Sequence, residues 1–474
     1  MDRAAHAVAL EAASLLRQHH GATSGRHVAV LAGAGKNGGD ALLAGVHLLS
    51  LGCTVTAILC APTAYEPALA EFRRARGRVV HAAGTDLSPA LADVARADAV
   101  VDGVVGLGAR AGLREPALSL VANIPGSASV VAVDLPSGLA ADSGETSGHH
   151  VTADVTVTFS GLKACHMLPP AAHACGQVVV TDVGVPLVDS SSVDHVCRAT
   201  RDDVCALWPV PDATDHKYTR GVVGVIAGTA RYPGAAVLAV SGAARAGPGM
   251  VRYVGPERVQ DLVMAARPET VCHLPDEDLP RAQSWVVGPG VSDDPVQAAA
   301  MERAFSSGRP CVIDAGGIVP GVQQRVHHRG SQHSPVPVAT PHAGELAAAL
   351  TSLDTHVTRD EVLARPAHYG LLLASMADCV VVLKGAVTLV CDPHGRVVSQ
   401  PVGPPWLATA GAGDVLAGVI GTLLSQGLSA VNSSVLGVFA HTRAAERASS
   451  NGPLVALDVA DALPRVVSEI VCHC

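Results

Sequence analysis

The sequence predicts an α/β protein of two domains, each built on a largely parallel sheet. At 474 residues the chain is too long for one ordinary hydrophobic core. Short runs of Val, Ala and Leu alternate with amphipathic Ala- and Leu-rich stretches, which is the pattern of repeated βαβ units. The polar, serine-rich segment Asp189–Arg201 interrupts this alternation once. We therefore expect a first domain over 1–190, a linker over 191–208 and a second domain over 209–474.

In the first half the pattern predicts a doubly wound sheet. A first strand over His27–Ala32 is followed by a helix over Asp40–Leu51. Further strands are expected at Cys53–Cys60, Ala99–Val105, Val130–Asp134, Val155–Phe159 and Gln177–Asp182. Their nearly continuous apolar character is typical of strands that are covered on both faces.

After the linker the alternation starts again. Strands are expected at Val222–Ala227, Val251–Val254, Ser284–Val287, Cys311–Asp314, Val336–Thr340, Cys379–Leu383 and Thr388–Cys391. Long helices are expected over Gly234–Ala246 and Gly413–Gln426. The polar segment Gln323–Ser334 is expected to be a solvated loop.

Composition narrows the class of protein. Aromatic residues make up only 3% of the chain against 49% hydrophobic residues, so the interior must consist mainly of Ala, Val and Leu. The net charge of −9 is spread along the chain without a Lys/Arg-rich block, which argues against nucleic acid or an anionic membrane as partner. Twelve scattered cysteines without a CxxC pair are typical of a reduced cytoplasm. The chain shows no signal-peptide pattern and no apolar run of about 18 residues. We therefore expect a cytoplasmic protein with small-molecule partners.

Lysine is rare, with four lysines against twenty-nine arginines. All four lie in short motifs typical of phosphate or nucleotide sites, at Lys36, Lys163, Lys217 and Lys384. A lysine in such a composition indicates a position that needs a compact charge on a flexible stem.

The first strand is followed by the glycine-rich turn Gly33–Asp40 and then by a helix, which is the order that a phosphate cradle requires. The spacing is neither GxGxxG nor a Walker loop, and tight packing explains such a turn about as well. Three more strand ends carry polar groups, at Asp102, Asp134 and the stretch Thr158–Lys163. Because the carboxyl ends of parallel strands meet in one crevice, these groups could bind a hard monovalent cation with Asn37 and Ser137, or move protons on a small molecule.

Four ordered motifs make this half resemble the epimerase domain of the NAD(P)H-hydrate repair enzymes over roughly residues 1–190: GxGxNGGDA, DGVVGLG, DLPSGL and TVTFSGLK. The resemblance implies a Rossmann-like domain with a potassium ion bound by Asn37, Asp102 and Ser137. It implies that Asp134 acts as the acid/base in opening and reclosing a hydrated nicotinamide ring. The residues implied to contact the hydrated nucleotide are Lys36, Asn37, Gly38, Gly39, Asp40, Gly106, Leu107, Gly108, Ala109, Arg110, Ala111, Gly112 and Asp134.

This half departs from the family pattern in two places. The family usually carries Asn where this chain has Lys36, so the lysine either adds a phosphate contact or disturbs the site. The chain also begins at what resembles the middle of the family's N-terminal helical region. A truncated N-terminus and a misassigned start are the two alternatives.

The strongest single motif of the second half is Thr409–Gly418, with the sequence TAGAGDVLAG. Small residues before an acid at a helix start create a pocket of backbone N–H groups for phosphate oxygens, and Asp414 beside it can take a proton from a substrate hydroxyl. Lys384–Thr388 follows an apolar strand, which favours nucleotide contacts.

Eight ordered motifs make this half resemble ADP- or ATP-dependent NAD(P)H-hydrate dehydratases of the ribokinase-like superfamily: HKYTRG, AGTARYPGAA, AARAGPGMVR, ARPETV, GPG, TPHAGE, LKGAVT and ATAGAGDVLAG. The resemblance implies an α/β/α layered domain that uses ADP and Mg²⁺. The hydrate would contact Ala235, Gly290, His342 and Asp414, with Asp414 catalytic. The adenine nucleotide would contact Lys384, Gly385, Ala386, Val387, Thr388 and Gly413. Many relatives carry a second acid where this chain has Gly316.

Together the two halves resemble the bifunctional enzymes that repair hydrated NADH and NADPH (NADHX and NADPHX), and a homo-oligomer is expected. Two alternatives stay open at this point. GAGD alone also fits a small-molecule kinase of the vitamin or sugar type, and the first half could be a non-catalytic ligand-binding module. The sequence does not rank the two hydrates, or ADP against ATP.

Overall fold

The computed structural model describes residues 1–82, 86–108, 111–186, 196–327 and 335–472. The chain divides into two compact units, Met1–Val193 and Asp194–Cys474, and each has its own sheet and core. The predicted α/β class with two layered units is confirmed. Within the described ranges, no helix is long and apolar enough to cross a membrane.

The first unit is built on a parallel sheet. Its described strands are β1 His27–Ala32, β2 Thr54–Leu59, β3 Arg78–His81, β4 Ala99–Gly103, β5 Ser129–Val133, β6 Val155–Phe159 and β7 Gln177–Thr181. Their order across the sheet is β3-β2-β1-β4-β5-β6-β7, and each neighbouring pair is parallel. The chain runs one way from β1 to β3 and the other way from β4 to β7, so the crevice at the carboxyl ends of β1 and β4 is the topological switch point.

Helices cover this sheet. Those of the first unit are α1 Asp2–His20, α2 Lys36–Ser50, α3 Glu66–Arg74, α4 Ser88–Ala95, α5 Ala117–Ala122, α6 Ala164–Met167 and α7 Ala171–Ala174. The alternation pattern did not predict α1, because alanines such as Ala5, Ala9 and Ala12 form most of its buried face. The predicted helix Asp40–Leu51 begins four residues earlier, at Lys36, so the glycine-rich turn partly belongs to the helix.

The second unit is built on a larger, mostly parallel sheet. Its described strands are β8 Val196–Arg198, β9 Val222–Ile226, β10 Met250–Val254, β11 Val271–His273, β12 Ser284–Val287, β13 Cys311–Ile313, β14 Val338–Ala339, β15 Val380–Leu383, β16 Leu389–Cys391 and β17 Val397–Ser399. Their order is β11-β10-β9-β12-β13-β14-β15-β16-β17-β8, and only β16 runs antiparallel to its neighbours among these strands. The switch point of this sheet lies between β9 and β12.

The helices of the second unit pack on both faces of its sheet. They are α8 Arg201–Leu207, α9 Pro233–Arg245, α10 Glu257–Ala266, α11 Pro295–Phe305, α12 Ile318–His327, α13 Ala343–Thr351, α14 Arg359–Ala364, α15 Pro366–Ala377, α16 Ala412–Ser425, α17 Ala430–Ser449 and α18 Ala456–Val471. Helices α9 and α16 approach closely through glycines. A Cβ on Gly242 would lie 2.2 Å from the carbonyl oxygen of Val415, and one on Gly418 would lie 2.1 Å from that of Ala239.

Two predicted loops differ from the structure. Residues 196–208, which were assigned to the linker, form β8 and α8 of the second unit, and β8 pairs with β17. Helix α12 extends to His327, so the first part of the predicted loop Gln323–Ser334 is helical. Both the β8–α8 stretch and the end of α12 carry many exposed or half-buried polar residues, which is why their composition resembles that of a loop. Residues 187–195 and 328–334 lie outside the described ranges.

The α9–α16 contact leads to a stability prediction. Gly242→Ala should destabilise the second unit by about 1–3 kcal/mol, because the new methyl group meets backbone that cannot move aside. Gly234→Ala is the matched control in the same helix, where a Cβ has no neighbour within 4 Å. Alanine there should be neutral or stabilise by about 0.5–1 kcal/mol.

The chain's three tryptophans, Trp208, Trp285 and Trp406, all lie in the second unit. Urea unfolding followed by tryptophan fluorescence therefore reports on this unit alone. Equal midpoints for the two variants would show that the helices tolerate a wider separation.

Candidate functional site

In the first unit, Asn37 joins several strand ends. It lies in the first turn of α2 and donates its side-chain N–H groups to the carbonyl oxygens of Val105 (3.1 Å) and Val133 (3.0 Å). Its amide oxygen has no hydrogen-bond donor among the described residues. One side chain thus ties the loop after β4 and the end of β5 to the head of α2, and leaves an oxygen ligand free.

Asp102 is fully buried beside it. Its carboxylate accepts hydrogen bonds from the hydroxyl (2.6 Å) and the backbone N–H (2.7 Å) of Ser137, and from the backbone N–H of Val104 at 3.3 Å. Burial raises the pKa of Asp102, while the bonds from Ser137 and Val104 act in the opposite direction. The N–H of Val105, whose carbonyl accepts from Asn37, donates to the Ser137 hydroxyl at 3.1 Å, so the predicted potassium ligands Asn37, Asp102 and Ser137 lie in one connected hydrogen-bond network.

Asp134 follows β5 in a left-handed conformation, with a φ of 69°. Its Oδ1 accepts hydrogen bonds from Lys163 Nζ at 2.5 Å and from the hydroxyl of Thr158 at 2.9 Å. Its backbone carbonyl lies 2.9 Å from Nε2 of His166, whose Nδ1 accepts the backbone N–H of Lys163 at 3.0 Å. That second bond fixes the proton of His166 on Nε2, so the histidine donates to Asp134. Both the backbone and the carboxylate of Asp134 are held in place.

Cavities flank the loop after β4. One of about 430 Å³ is lined by the predicted contacts Lys36, Asn37, Gly38, Gly106, Leu107 and Gly108. Another of about 340 Å³ lies at the switch point, with Gly33, Cys60 and the predicted contact Gly112 in its wall. The predicted contacts Ala109 and Arg110 lie outside the described residues.

The glycine-rich turn serves packing as well as access. A Cβ on Gly33 would lie 1.8 Å from the Val104 carbonyl oxygen, and one on Gly38 would lie 2.1 Å from the Gly33 carbonyl oxygen. Gly39 packs against the ring of Tyr65 and lines neither cavity. At Gly35 a Cβ would meet nothing within 4 Å, so packing does not account for that glycine.

In the second unit, Asp414 lies in the first turn of α16. This helix begins directly after Gly411, whose φ of 88° lies in the left-handed region. Burial raises the pKa of Asp414 to about 7, and the negative charges of Asp314 and Glu345 add to the effect while Lys384 opposes it. Its carboxylate makes no hydrogen bond to the described residues. A half-buried carboxyl group of this kind is suited to accept a proton near neutral pH.

Lys384 follows β15 and points to the same place. Its Nζ lies 2.8 Å from Oδ1 of Asp314 and 3.7 Å from a carboxylate oxygen of Glu345. A Cβ on Gly413 would lie 3.1 Å from this Nζ, so the ammonium group sits against the start of α16. Burial acts to lower the pKa of Lys384, but the surrounding carboxylates outweigh it and raise the pKa. The predicted nucleotide contacts Lys384 and Gly413 therefore lie side by side.

The rest of the predicted nucleotide segment forms the turn between β15 and β16. Thr388 donates its hydroxyl to the Gly385 carbonyl at 3.3 Å, and the N–H of Gly403 donates to the Ala386 carbonyl at 3.2 Å. Val387 is buried beneath the turn.

His342 caps helix α13 at the end of β14. Its Nδ1 accepts the backbone N–H groups of Gly344 (3.0 Å) and Glu345 (3.1 Å), and the Glu345 side chain accepts the N–H of His342 at 2.8 Å. The other ring nitrogen is exposed and lies 3.6 Å from Glu345 Oε1. The structure thus places the predicted contact His342 next to Glu345, which the motif TPHAGE contains but which was not singled out.

Ala235 and Gly290 meet at the switch point of the second sheet. A Cβ on Gly290 would lie 2.5 Å from the Ala235 Cβ, and the Thr229 hydroxyl donates to the Gly290 carbonyl at 3.1 Å. Gly316 has no room for a side chain, because a Cβ would lie 1.9 Å from the Val291 carbonyl oxygen. The glycine at this position is required by the backbone of this chain.

Several residues of the two sites were missed. Asp314 directly follows β13 and also accepts the hydroxyl of Thr340 at 2.7 Å. His441 is buried below the GAGD turn and bonds through Nε2 to the Ala412 carbonyl at 2.9 Å, and burial lowers its pKa to about 4. The rarity of lysine drew attention to Lys163 in the sequence, but it did not indicate that Asp134 is its partner. Nothing in the local sequence marks His441.

Comparisons with known proteins agree with this geometry. The family described as NAD(P)H-hydrate dehydratase matches residues 223–465, and that described as YjeF-related protein N-terminus matches residues 1–165. The bifunctional NAD(P)H-hydrate repair enzyme of Mycobacterium leprae is 39% identical over 99% of this chain and 93% of its own length. The enzyme of the same name from Mycobacterium tuberculosis is 39% identical over 90% of this chain and 85% of its own length.

Solved structures resemble the second unit. The ADP/ATP-dependent NAD(P)H-hydrate dehydratase from Bacillus subtilis, co-crystallised with ATP and Mg²⁺, is 28% identical, with a TM-score of 0.53 over 58% of this chain and 99% of that one. A ribokinase-like superfamily protein from Enterococcus faecalis, 18% identical, has a TM-score of 0.52 over 60% of this chain and 99% of that one. The second likeness concerns the fold alone.

Asp40 leads to a prediction that does not depend on catalysis. It is buried, and its Oδ1 has no hydrogen-bond partner among the described residues. Burial raises its pKa from 3.8 to about 6, with Asp134 adding to the effect. Because the folded-state pKa lies above the unfolded one, the folded protein loses stability as pH rises from about 4 through about 6. Asp40→Asn should remove this loss and stabilise the first unit by up to about 3 kcal/mol above pH 7.

The measurement is calorimetric unfolding at pH 4 and pH 8. Because all three tryptophans lie in the second unit, the transition of the first unit is the one without a change in tryptophan fluorescence. Asp142→Asn, on an exposed loop, is the control for loss of one negative charge. The gain should appear at pH 8 and not at pH 4. A gain of equal size at both pH values, or one shared by the control, would contradict the assignment.

Proposed function

Because the chain belongs to the bifunctional NAD(P)H-hydrate repair enzymes, we propose how its two sites divide the repair of hydrated NADH and NADPH. The protein is an epimerase and a dehydratase: the first unit interconverts the R and S hydrates, and the second dehydrates the S hydrate at the expense of a nucleotide. The roles of individual residues in the next paragraphs are our proposals.

The observation that carries the dehydratase proposal is Asp414 at the head of α16, with its pKa near 7 and Lys384 beside it. The hydrate's hydroxyl gives its proton to Asp414 and attacks the terminal phosphoryl group of the nucleotide. Phosphate then leaves from the ring carbon, and loss of a ring proton restores the dihydronicotinamide. Backbone N–H groups at the start of α16 stabilise the charge on the phosphoryl oxygens.

We propose that Ala235, Gly290 and His342 form the wall against the hydrate, and that ADP lies along Lys384–Thr388 and Gly413. Lys384 would then exchange its bond with Asp314 for a phosphate oxygen, as a flexible ammonium group can. No group of three or more His, Cys, Asp or Glu residues in the described ranges is arranged to hold a metal ion. Mg²⁺ would therefore be held mainly by nucleotide phosphates and water, with Asp314 and Glu345 as outer partners.

In the first unit we propose Asp134 as the acid/base group for ring opening and closure, with the hydrate in the cavity lined by Lys36–Gly38 and Gly106–Gly108. Lys36 is exposed at the start of α2 and lines this cavity. A lysine at a helix start favours a phosphate contact over a disturbed site.

The oxygens of Asn37, Asp102 and Ser137 suit a potassium ion. The set comprises one carboxylate, one hydroxyl and the free amide oxygen of Asn37, which are hard ligands with a single negative charge. A bound potassium ion would supply positive charge next to the substrate's phosphate groups. Assembly as a homo-oligomer and a cytoplasmic location stay predictions.

Asp414→Asn should leave the fold intact and lower dehydratase activity by about 10²–10⁴-fold, because the base is lost while its shape is kept. The assay uses S hydrate, ADP and Mg²⁺ and follows the absorbance of the reduced nicotinamide. Tryptophan fluorescence on heating checks that the variant is folded. Near-normal turnover by the folded variant would exclude Asp414 as the base.

Glu345→Gln is the matched control, since it keeps an oxygen to cap α13 and keeps the base. In the wild type, kcat/KM should rise with pH through about 7 as Asp414 ionises. Because the charge of Glu345 raises the pKa of Asp414, this rise should move to lower pH in Glu345→Gln.

Asp134→Asn tests the epimerase. With a mixed pool of R and S hydrates, excess ADP and Mg²⁺, the wild type should consume the whole pool. The variant should consume the S hydrate at the normal rate and leave about half of an equimolar pool, because the acid/base factor that is lost is about 10²-fold or more. Asp142→Asn should behave as wild type. Equally fast consumption of both epimers by Asp134→Asn would exclude the proposed role, and a wild type that stalls halfway would exclude the epimerase function itself.

A further inference from the structure

We propose that Lys163 is a second catalytic residue of the first unit, the proton donor that works with Asp134 as proton acceptor. The inference rests on the proposed epimerase function. It names the residue that gives a proton to the ring nitrogen, a step for which Asp134 as proton acceptor is not sufficient. It starts from the contact between Lys163 and Asp134.

The two residues come from neighbouring parallel strands. Asp134 follows β5 and Lys163 lies four residues beyond β6, so both stand at the carboxyl edge of the sheet, where ligands of such folds bind. Nζ of Lys163 donates to Oδ1 of Asp134 at 2.5 Å, to the Thr158 hydroxyl at 2.6 Å and to the Phe159 carbonyl at 3.3 Å. The two short contacts hold the ammonium group in one place, while the long contact to Phe159 leaves the third proton for a ligand to accept.

The contacts divide the Asp134 carboxylate into two unequal oxygens. Oδ1 accepts from both Lys163 and Thr158, whereas Oδ2 has no donor among the described residues and is not sealed from solvent. Oδ2 is therefore the atom free to take a proton from a ligand. The Lys163 side chain is 15% exposed and that of Asp134 is 5% exposed, so both are largely buried but keep some accessible surface.

The backbone reinforces this arrangement. The Nε2–H of His166 donates to the Asp134 carbonyl, while the N–H of Lys163 donates to Nδ1 of the same ring. One imidazole ring thus fixes the backbones of both residues relative to each other. A pair needed only for charge balance would not require this degree of positioning.

The chemistry of the hydrate needs two proton positions. In ring opening, the C6 hydroxyl loses its proton to Oδ2 of Asp134, the oxygen forms a carbonyl with C6, and the electron pair of the C6–N1 bond goes to N1. N1 takes the proton that the Lys163 ammonium group releases. Ring closure on the other face of the carbonyl reverses both transfers: N1 attacks C6 and returns its proton to the Lys163 amine, and the oxygen takes the proton back from Asp134. No oxidant or further reactant is required, and the charges of the pair are restored.

The alternative is that Lys163 only holds Asp134 in position, and two variants separate the roles. Lys163→Gln removes the proton donor and keeps a group that can bond to Asp134. Thr158→Val removes the other bond to Oδ1 and one contact of the lysine, and keeps the donor and its bond to Asp134. A proton donor predicts a loss of epimerisation of about 10²-fold or more in Lys163→Gln and a much smaller loss in Thr158→Val. It also predicts partial recovery of Lys163→Gln with added methylammonium, which can enter the space left by the amine.

The experiment uses the full-length protein with purified R hydrate, ADP and Mg²⁺, so that epimerisation limits the appearance of reduced nicotinamide. Turnover of S hydrate is measured in parallel and should not change in either variant. Arg74→Gln, an exposed position on α3, is the control for loss of a positive charge. Similar losses in the two variants, with no recovery by methylammonium, would overturn the proton-donor role and leave Asp134 as the only catalytic group. A wild type that does not convert R hydrate would overturn the epimerase function and this role with it.

Discussion

The structure of both units depends on a lysine ammonium group held by an aspartate at the carboxyl edge of a parallel sheet. Lys163 bonds to Asp134 in the first unit, and Lys384 bonds to Asp314 in the second. All four residues follow strands whose own side chains are mostly apolar, so each charge would be costly to bury alone. The pairing lets charged groups stand at the mouth of an apolar core, and the surrounding glycine turns leave room for a ligand.

The sequence was sufficient to predict which strands and turns carry the chemistry, but not which side chains meet. Asp134 and Lys384 each directly follow a strand, and Asp414 lies in the first turn of a helix, so all three stand in short motifs that can be recognised from the chain alone. Asp314 and Lys384 are 70 residues apart and come from strands separated by β14, so their contact depends on strand order. Glu345 and Lys163 were visible inside recognised motifs, yet nothing local indicated their partners.

Boundaries and burial were the other features beyond local sequence. Residues 196–208 have the composition of a linker because many of their side chains are exposed, although β8 forms the edge of the sheet by pairing with β17. In the sequence, Gly316 resembles the replacement of an acidic residue of the family pattern. In the structure, the Val291 carbonyl occupies the space that a side chain at Gly316 would need. The raised pKa values of Asp40 and Asp414 arise mainly from burial, which is a property of the packed structure and not of the neighbouring residues in sequence.

The two lysines are placed differently with respect to the proposed catalytic acids, and this difference suits the two reactions. In the first unit, the lysine contacts the acid itself, which gives an acid and a base within one hydrogen bond, as a reversible proton exchange requires. In the second unit, Asp314 holds the lysine, so Asp414 keeps a pKa near 7. A direct bond from Lys384 to Asp414 would lower that pKa and make the carboxylate a weaker base. Holding the lysine on Asp314 therefore preserves the basicity of Asp414 while keeping a positive charge within reach of phosphate oxygens.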